Sequence, residues 1–220
     1  MNLLVKCLAI GITTAAFATA TLAANVTVSG STTVASAVML PMEQQIEASA
    51  GVEMEIVANG SSRGIADLVA GTSNMAMISA PIDVTIAKIN KKDPTLLEGV
   101  NLVGHQIGET VVAFTVHPSN PVSSITLEQL SRVLDGSITN WSALGGPNMP
   151  IIVVAETSGG GVRSLTEDRL LDGASISAQL REFPNATQVP TVTQQLPPAL
   201  GISGAVGAKN AGARVLETDT

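Results

Sequence analysis

The sequence predicts an α/β fold built on mostly parallel sheets flanked by helices. Three observations carry that expectation. Short β-rich runs alternate with runs of helical periodicity along the chain. Three of the strand-to-helix junctions are made of glycine, serine and threonine. Hydrophobic residues make up 45% and charged residues 13%, so the chain can bury a core and carries too little charge to stay disordered.

The elements follow in order. Residues 1–23 read as an export leader: Lys6 supplies the positive end, 7–17 (CLAIGITTAAF) the apolar stretch and 18–24 (ATATLAA) the small residues before cleavage. Cleavage is expected after Ala23 or Ala24, with Ala20 the second choice. The apolar run is short for a membrane span, and Cys7 stands at its start instead of after it, which does not fit a lipid-anchored cysteine. Cleavage would remove the only cysteine and leave a thiol-free exported protein.

A first strand is expected over 26–29, ending at Gly30-Ser31-Thr32-Thr33. Apolar Val34, Val38, Met42 and Ile46 recur at helical spacing over 34–48, with Pro41 predicting a kink or a late start. Alternation over 52–58 (VEMEIVA) predicts a half-buried strand, followed by Asn59-Gly60-Ser61-Ser62 and a helix over 63–70. Further strands are expected at 75–79, 100–105 and 110–117, and helices at 85–90 and 94–98. The cluster Pro118-Ser119-Asn120-Pro121 marks a turn. Thr126 and Gln129 have capping-box spacing for a helix over 127–134. Trp141 falls in a turn of helix and is expected to pack on the core or between lobes. A buried strand over 151–155 leads through Ser158-Gly159-Gly160-Gly161 into a helix over 162–171. A helix at 175–181 and late strands at 201–206 and 213–216 complete the reading, with 191–196 open between helix and strand.

Composition narrows the function. Lys plus Arg number 11 against 18 acids, a formal charge of −7 with no basic run, which argues against nucleic acid as a partner. Aromatics are 2%, with one Trp and no Tyr, leaving little for a stacking platform. One Cys and two His give no disulfide and no Cys-rich zinc site. His105 and His117 lie on different segments, so no metal site is expected, and no cofactor is called for.

The three Gly/Ser/Thr loops are 30–33, 60–62 and 158–161. Each follows an expected strand and opens an expected helix. A helix N-terminus carries unpaired N–H groups and about half a positive charge. Glycine allows close backbone approach, and hydroxyls add donors. Three such termini converging would bind a tetrahedral oxyanion without many cations, which suits an acidic chain. Each loop alone is ordinary helix capping.

These residues also resemble a known family. VSGSTTV (28–34), NGSSRGIADLVAGTSNMAMIS (59–79), IGETVVAFTVHPSNPVSSITLEQL (107–130), ITNWSALGG (138–146) and VVAETSGGGVRS (153–164) are similar to the periplasmic phosphate-binding proteins of phosphate ABC transporters. The resemblance implies a two-lobed, type-II periplasmic binding fold, with lobe one over 24–110 and lobe two over 111–220. It implies phosphate, or a related oxyanion, held between the lobes of a monomer and delivered to the transporter's membrane subunits, with hinge movement near 110–114 and near the C-terminus. By position it makes Thr32, Thr33 and Ser61 ligand residues, with Ser79, Gly160, Gly161, Val162 and Arg163 completing the set. It also implies that fuller members continue past the equivalent of Thr220 and return to complete the first lobe.

Three positions depart from the family pattern. Its proton-accepting carboxylate falls at Ser79, its phosphate-binding Arg at Glu156, and its third-loop Ser and Thr at Gly160 and Val162. A carboxylate ~4 Å from a unit negative charge costs ~4 kcal/mol at an effective dielectric of about 20. Glu156 must therefore point away, be protonated, or pair with Arg63 or Arg163. The departures also keep a second class open, a regulatory or adhesive relative of the binding fold without a ligand. A third class rests on Gly60-Ser61-Ser62-Arg63-Gly64, which fits the G-x-S-x-G elbow of serine hydrolases with Ser62 as nucleophile. It needs a base such as His105 or His117 within hydrogen-bond reach of Ser62.

Overall fold

A computed structural model describes residues 23–109 and 111–219. Apart from Ala23, the expected leader lies outside the described residues. Among the described residues no helix is long and apolar enough to cross a membrane.

The first sheet has three parallel strands in the order β2-β1-β3, formed by Val52–Ala58, Ala24–Gly30 and Met75–Met77. Each strand of this sheet feeds a helix. The helix after β1 is broken into α1 (Thr32–Val34), a π-helical turn (Ala35–Met39) and α2 (Leu40–Ala50). Pro41 explains the break, since it sits at the start of α2. Its ring has no N–H and would crowd the carbonyl four residues back, so the wider π turn relieves the expected kink. After β2 comes α3 (Ser61–Val69), and after β3 comes α4 (Ile82–Lys92). The core of this lobe is small. Val28, Ala35 and Met77 form its buried centre, and α2 buries no residue.

Helix α3 lies directly on the backbone of β1. A Cβ added at Gly64 would stand 2.5 Å from the Gly30 Cα and from the Ser29 carbonyl oxygen. Backbone cannot rotate aside as a side chain can. Gly64→Ala is therefore expected to destabilise the protein by roughly 1–3 kcal/mol through overpacking. In an unobstructed helix interior the same change stabilises by up to about 1 kcal/mol. Urea unfolding decides between the two signs, and a stabilised variant would contradict this packing.

The second sheet has five strands in the order β7-β6-β8-β4-β9. Strand β6 (Ile152–Glu156) is buried throughout and pairs in parallel with β7 (Leu180–Phe183) and β8 (Ala199–Gly204). Strand β4 (Val112–Val116) runs against both β8 and β9 (Arg214–Val215). A small parallel pair joins β5 (Ser124–Ile125) to β10 (Glu217–Thr218). Helices α5 (Leu127–Leu134), α6 (Gly161–Leu171), α7 (Gln188–Gln195) and α8 (Ala205–Asn210) accompany these strands. The expected capping box is present: the Gln129 N–H donates to Thr126 Oγ1, and the Thr126 N–H donates to Gln129 Oε1. Trp141 is fully buried in this lobe's core with Leu130, Leu134, Val153 and Leu200, and its indole N–H donates to the Pro198 carbonyl at 3.0 Å. Burying each of these aliphatic side chains contributes about 1.5–3 kcal/mol.

Several local expectations are corrected. Residues 94–98 form turns, and 100–105 form no strand. The helix expected at 175–181 is absent, because β7 takes 180–183 as an edge strand beside β6, with Leu180 opposite Val153. Sheet pairing overrides a weak helical period there. The open segment 191–196 lies within α7, and the late strand begins at Ala199 and yields to α8 at Ala205.

Candidate functional site

The site is built from the loops that leave the carboxyl ends of β1, β2, β3 and β6. The first two loops are joined by backbone: the N–H groups of Asn59 and Gly60 both donate to the Gly30 carbonyl, at 2.9 and 2.8 Å. The third is joined to the first by the Ser31 N–H donating to the Met77 carbonyl at 2.8 Å. Gly30 has φ +135°, and a Cβ there would stand 2.2 Å from the Met77 oxygen, so the junction requires glycine. The loop after β6 reaches across to this cluster, with the Ser62 N–H donating to the Gly159 carbonyl at 3.0 Å.

Ser61, Ser79 and Gly161 meet at this junction. The Ser79 N–H donates to Ser61 Oγ at 3.3 Å. A Cβ added at Gly161 would lie 2.3 Å from Ser79 Oγ and 2.6 Å from Ser61 Oγ. The two hydroxyls therefore sit against the first residue of α6. Ser79 Oγ is buried without a hydrogen-bond partner among the described residues. Thr32 and Thr33 are buried at the start of α1, where Thr32 Oγ1 accepts the Ala186 N–H at 3.2 Å. Thr33 lines a narrow hollow with Ser36, Ala186, Thr187, Gly204 and Gly207. The Val162 side chain is buried in the core, which leaves its N–H as the group near the site.

Glu156 answers the electrostatic problem that the sequence poses in an unexpected way. It is 4% exposed, and Oε1 accepts the N–H of Arg163 at 3.0 Å. Gly160 provides no side-chain cap for α6, so the β6 carboxylate performs that task. Gly160 is what admits it, since a Cβ there would stand 2.0 Å from the Glu156 carboxyl carbon. Burial pushes the Glu156 carboxyl above the ordinary range, opposed by the N–H groups of Arg163 and Val162 and by the charge of Arg163.

Arg163 is not free to reach a ligand with its side chain. Its Nε donates to Glu167 Oε1 at 2.9 Å, and one terminal nitrogen donates to the Glu156 carbonyl at 3.2 Å and to Glu182. Glu167 also accepts from Lys88 of α4, on the other side of the junction. The expectation of Arg163 as a ligand residue thus narrows to its backbone. Arg63, the other cation considered as a partner for Glu156, is exposed. Ser62 Oγ is buried and has no hydrogen-bond partner among the described residues, so neither His105 nor His117 stands beside it as a base. The His117 ring instead bonds Ser119.

The PBP superfamily domain matches residues 15–217. The chain belongs to that superfamily. Among solved PBP structures, a phosphate ABC transporter substrate-binding protein from Clostridium perfringens with bound phosphate superposes with TM-score 0.73 at 25% identity, covering 89% of this chain and 76% of that one. An ABC-type phosphate transport receptor from Vibrio cholerae shares the fold, with TM-score 0.62 at 22% identity over 89% of this chain and 76% of its own. Phosphate-binding protein PstS of Bacillus subtilis is 24% identical over 177 residues, which is 80% of this chain and 56% of that protein. The chain thus spans little more than half the length of that curated relative.

Within this PBP frame, sequence reasoning missed Lys88, Glu167 and Glu182. The spacing of Arg163 and Glu167, four apart on one helix, was the available signal for the first pairing. Nothing local pointed to Lys88 or Glu182, which arrive from α4 and β7.

Proposed function

We propose that this PBP-superfamily chain captures inorganic phosphate between its two lobes, outside the cytoplasm, and hands it to the membrane subunits of an ABC transporter. The observation that carries the reading is the meeting of Ser61 and Ser79, from one lobe, with the N-terminus of α6 from the other. Hydroxyls and helix-start N–H groups are the donors a tetrahedral oxyanion needs. The phosphate-bound Clostridium perfringens neighbour supports the choice of ligand. The proposed ligand set is Thr32, Thr33, Ser61 and Ser79 through hydroxyls and backbone, with Gly160, Gly161, Val162 and Arg163 contributing main-chain groups around the start of α6. Capture and release by lobe movement requires no covalent step. In this reading the hinge lies at 110–114 and near the C-terminus.

The test is equilibrium binding of radiolabelled phosphate to phosphate-stripped protein, with sulfate, arsenate and molybdate as competitors. Each hydrogen bond to a charged group is worth about 1.5–3 kcal/mol. The Thr32→Ala/Ser61→Ala double variant is therefore expected to bind about 100-fold more weakly or worse. A melting temperature that rises with phosphate in the parent protein, and not in the variant, would agree. Folded protein that binds no anion would sink the reading and favour a relative that keeps the fold without the ligand.

A further inference from the structure

The α6 N-terminus that the proposed phosphate would use already holds a carboxyl group of the protein's own. Glu156 Oε1 accepts the N–H of Arg163, the third residue of the helix, at 3.0 Å. The carboxyl group fills the space beside Gly160, with Cδ, Cγ and Oε2 lying 2.0 to 2.4 Å from where a Cβ would stand. An oxyanion and an ionised Glu156 would therefore compete for the same N–H groups.

The charges around Glu156 do not resolve that competition. On α6, Arg163 is divided among the Glu156 carbonyl, Glu167 and Glu182. Glu182 belongs to β7, which pairs with β6, and Arg181 of the same strand, in register with Val154, is exposed. Lys88 of α4 is engaged by Glu167. Asp83 at the start of α4 and Arg63 on α3 are exposed, and Asp67 of α3 accepts from Asn59. Strand β8 and helix α7 carry no ionisable side chain. Within the bonded network two cations, Arg163 and Lys88, thus face three carboxylates, Glu156, Glu167 and Glu182. A further anion entering this network adds to its excess of negative charge, and protonation of one carboxylate would offset it. Glu156 is the one with no side-chain cation bonded to its carboxylate.

We infer that Glu156 is an internal competitor for the oxyanion, and that phosphate capture is coupled to the uptake of one proton from solvent by its carboxylate. This rests on the phosphate reading of the site. The proton forms an O–H bond on Glu156, the Arg163 and Val162 N–H groups pass to a phosphate oxygen, and no other bond is made or broken. The neutral carboxyl can then donate a hydrogen bond instead of repelling the anion. Burial, which raises the carboxyl above its ordinary range, favours that uptake. The site would take phosphate more readily as pH falls.

The experiment measures the dissociation constant of inorganic phosphate for the wild type and for Glu156→Gln from about pH 5 to about pH 8. The ionisation of phosphate itself is common to both proteins and cancels in the ratio. The variant should bind more tightly at the alkaline end, and the ratio of wild-type to variant constants should climb with pH by up to about tenfold per unit. If the wild type binds and the ratio is flat, the inference fails while the phosphate reading stands. If neither protein binds phosphate, the phosphate reading fails and takes the inference with it. Should Glu156→Gln not fold, the infrared difference spectrum of the wild type on adding phosphate replaces it. A protonated-carboxyl band should grow as a carboxylate band is lost, and an unchanged carboxyl region overturns the proposal.

Discussion

Replacing Glu167 by alanine is expected to destabilise the protein by about 3–5 kcal/mol, the cost of stranding buried charge when one partner of an ion pair is removed. Its side chain is 1% exposed, and it accepts from Arg163 at 2.9 Å, from the Ile176 N–H at 3.3 Å and from Lys88. Without it, Arg163, itself 5% exposed, keeps only Glu182 and a carbonyl. Lys88 loses its carboxylate altogether. Because Lys88 comes from α4 and Glu167 from α6, the pair also ties the first lobe to the second. Urea unfolding of Glu167→Ala measures the loss, and a change below about 1 kcal/mol would mean that water replaces the pair at little cost.

The same carboxylate gives a pH signature. Burial works against ionisation of Glu167, but hydrogen bonds from Lys88 and Arg163, together with their charges, outweigh it and hold the carboxyl below its ordinary range. The unfolded chain therefore binds the proton first as pH falls. The stabilisation from Glu167 is complete above its unfolded value and is lost as pH falls through its folded value. The stability difference between the wild type and Glu167→Gln should be full at neutrality and shrink below about pH 4. A difference that holds constant with pH would show that the side chain contributes through packing alone.

The second large effect is expected on binding. Gly161→Ala places a methyl group 2.3 Å from Ser79 Oγ and 2.6 Å from Ser61 Oγ, between the two lobes. One or both hydroxyls must move away from the α6 N-terminus, and the lobes can relieve the clash by parting. Overpacking of this kind costs about 1–3 kcal/mol, which expressed in the closed complex is roughly a 5- to 150-fold weaker affinity for phosphate. The melting temperature in the absence of phosphate should change less than for Gly64→Ala, where backbone faces backbone within one lobe. Unchanged phosphate affinity in Gly161→Ala would remove this junction from the binding site.

Much of the local structure was legible in the sequence because it depends on neighbours along the chain. Alternation over 52–58 marks β2, and the spacing of Thr126 and Gln129 marks the start of α5. Strand β6 was legible because an unbroken run of Ile and Val fits a strand covered on both faces. Residues 175–181 misled because a weak helical period has no priority over the hydrogen bonds offered by the exposed edge of β6. Segment 191–196 stayed open for a related reason: the short amphipathic helix there is held by packing on β6 and β8 more than by propensity.

By itself, the sequence determined the α/β alternation and the glycine-rich strand-to-helix junctions. Each of these follows from residue type and short spacing. Only the tertiary structure decided what Glu156 and Arg163 do. A carboxylate at the end of a buried strand can turn outward, pair with a cation or cap a helix, and the choice depends on the space that Gly160 leaves. A guanidinium at the start of α6 can face the cleft or the interior, and that choice depends on the buried Glu167 and the half-exposed Glu182 coming within its reach, the latter from β7. These outcomes are set by contacts between elements distant along the chain, and local pattern does not encode which charges the fold will bring together.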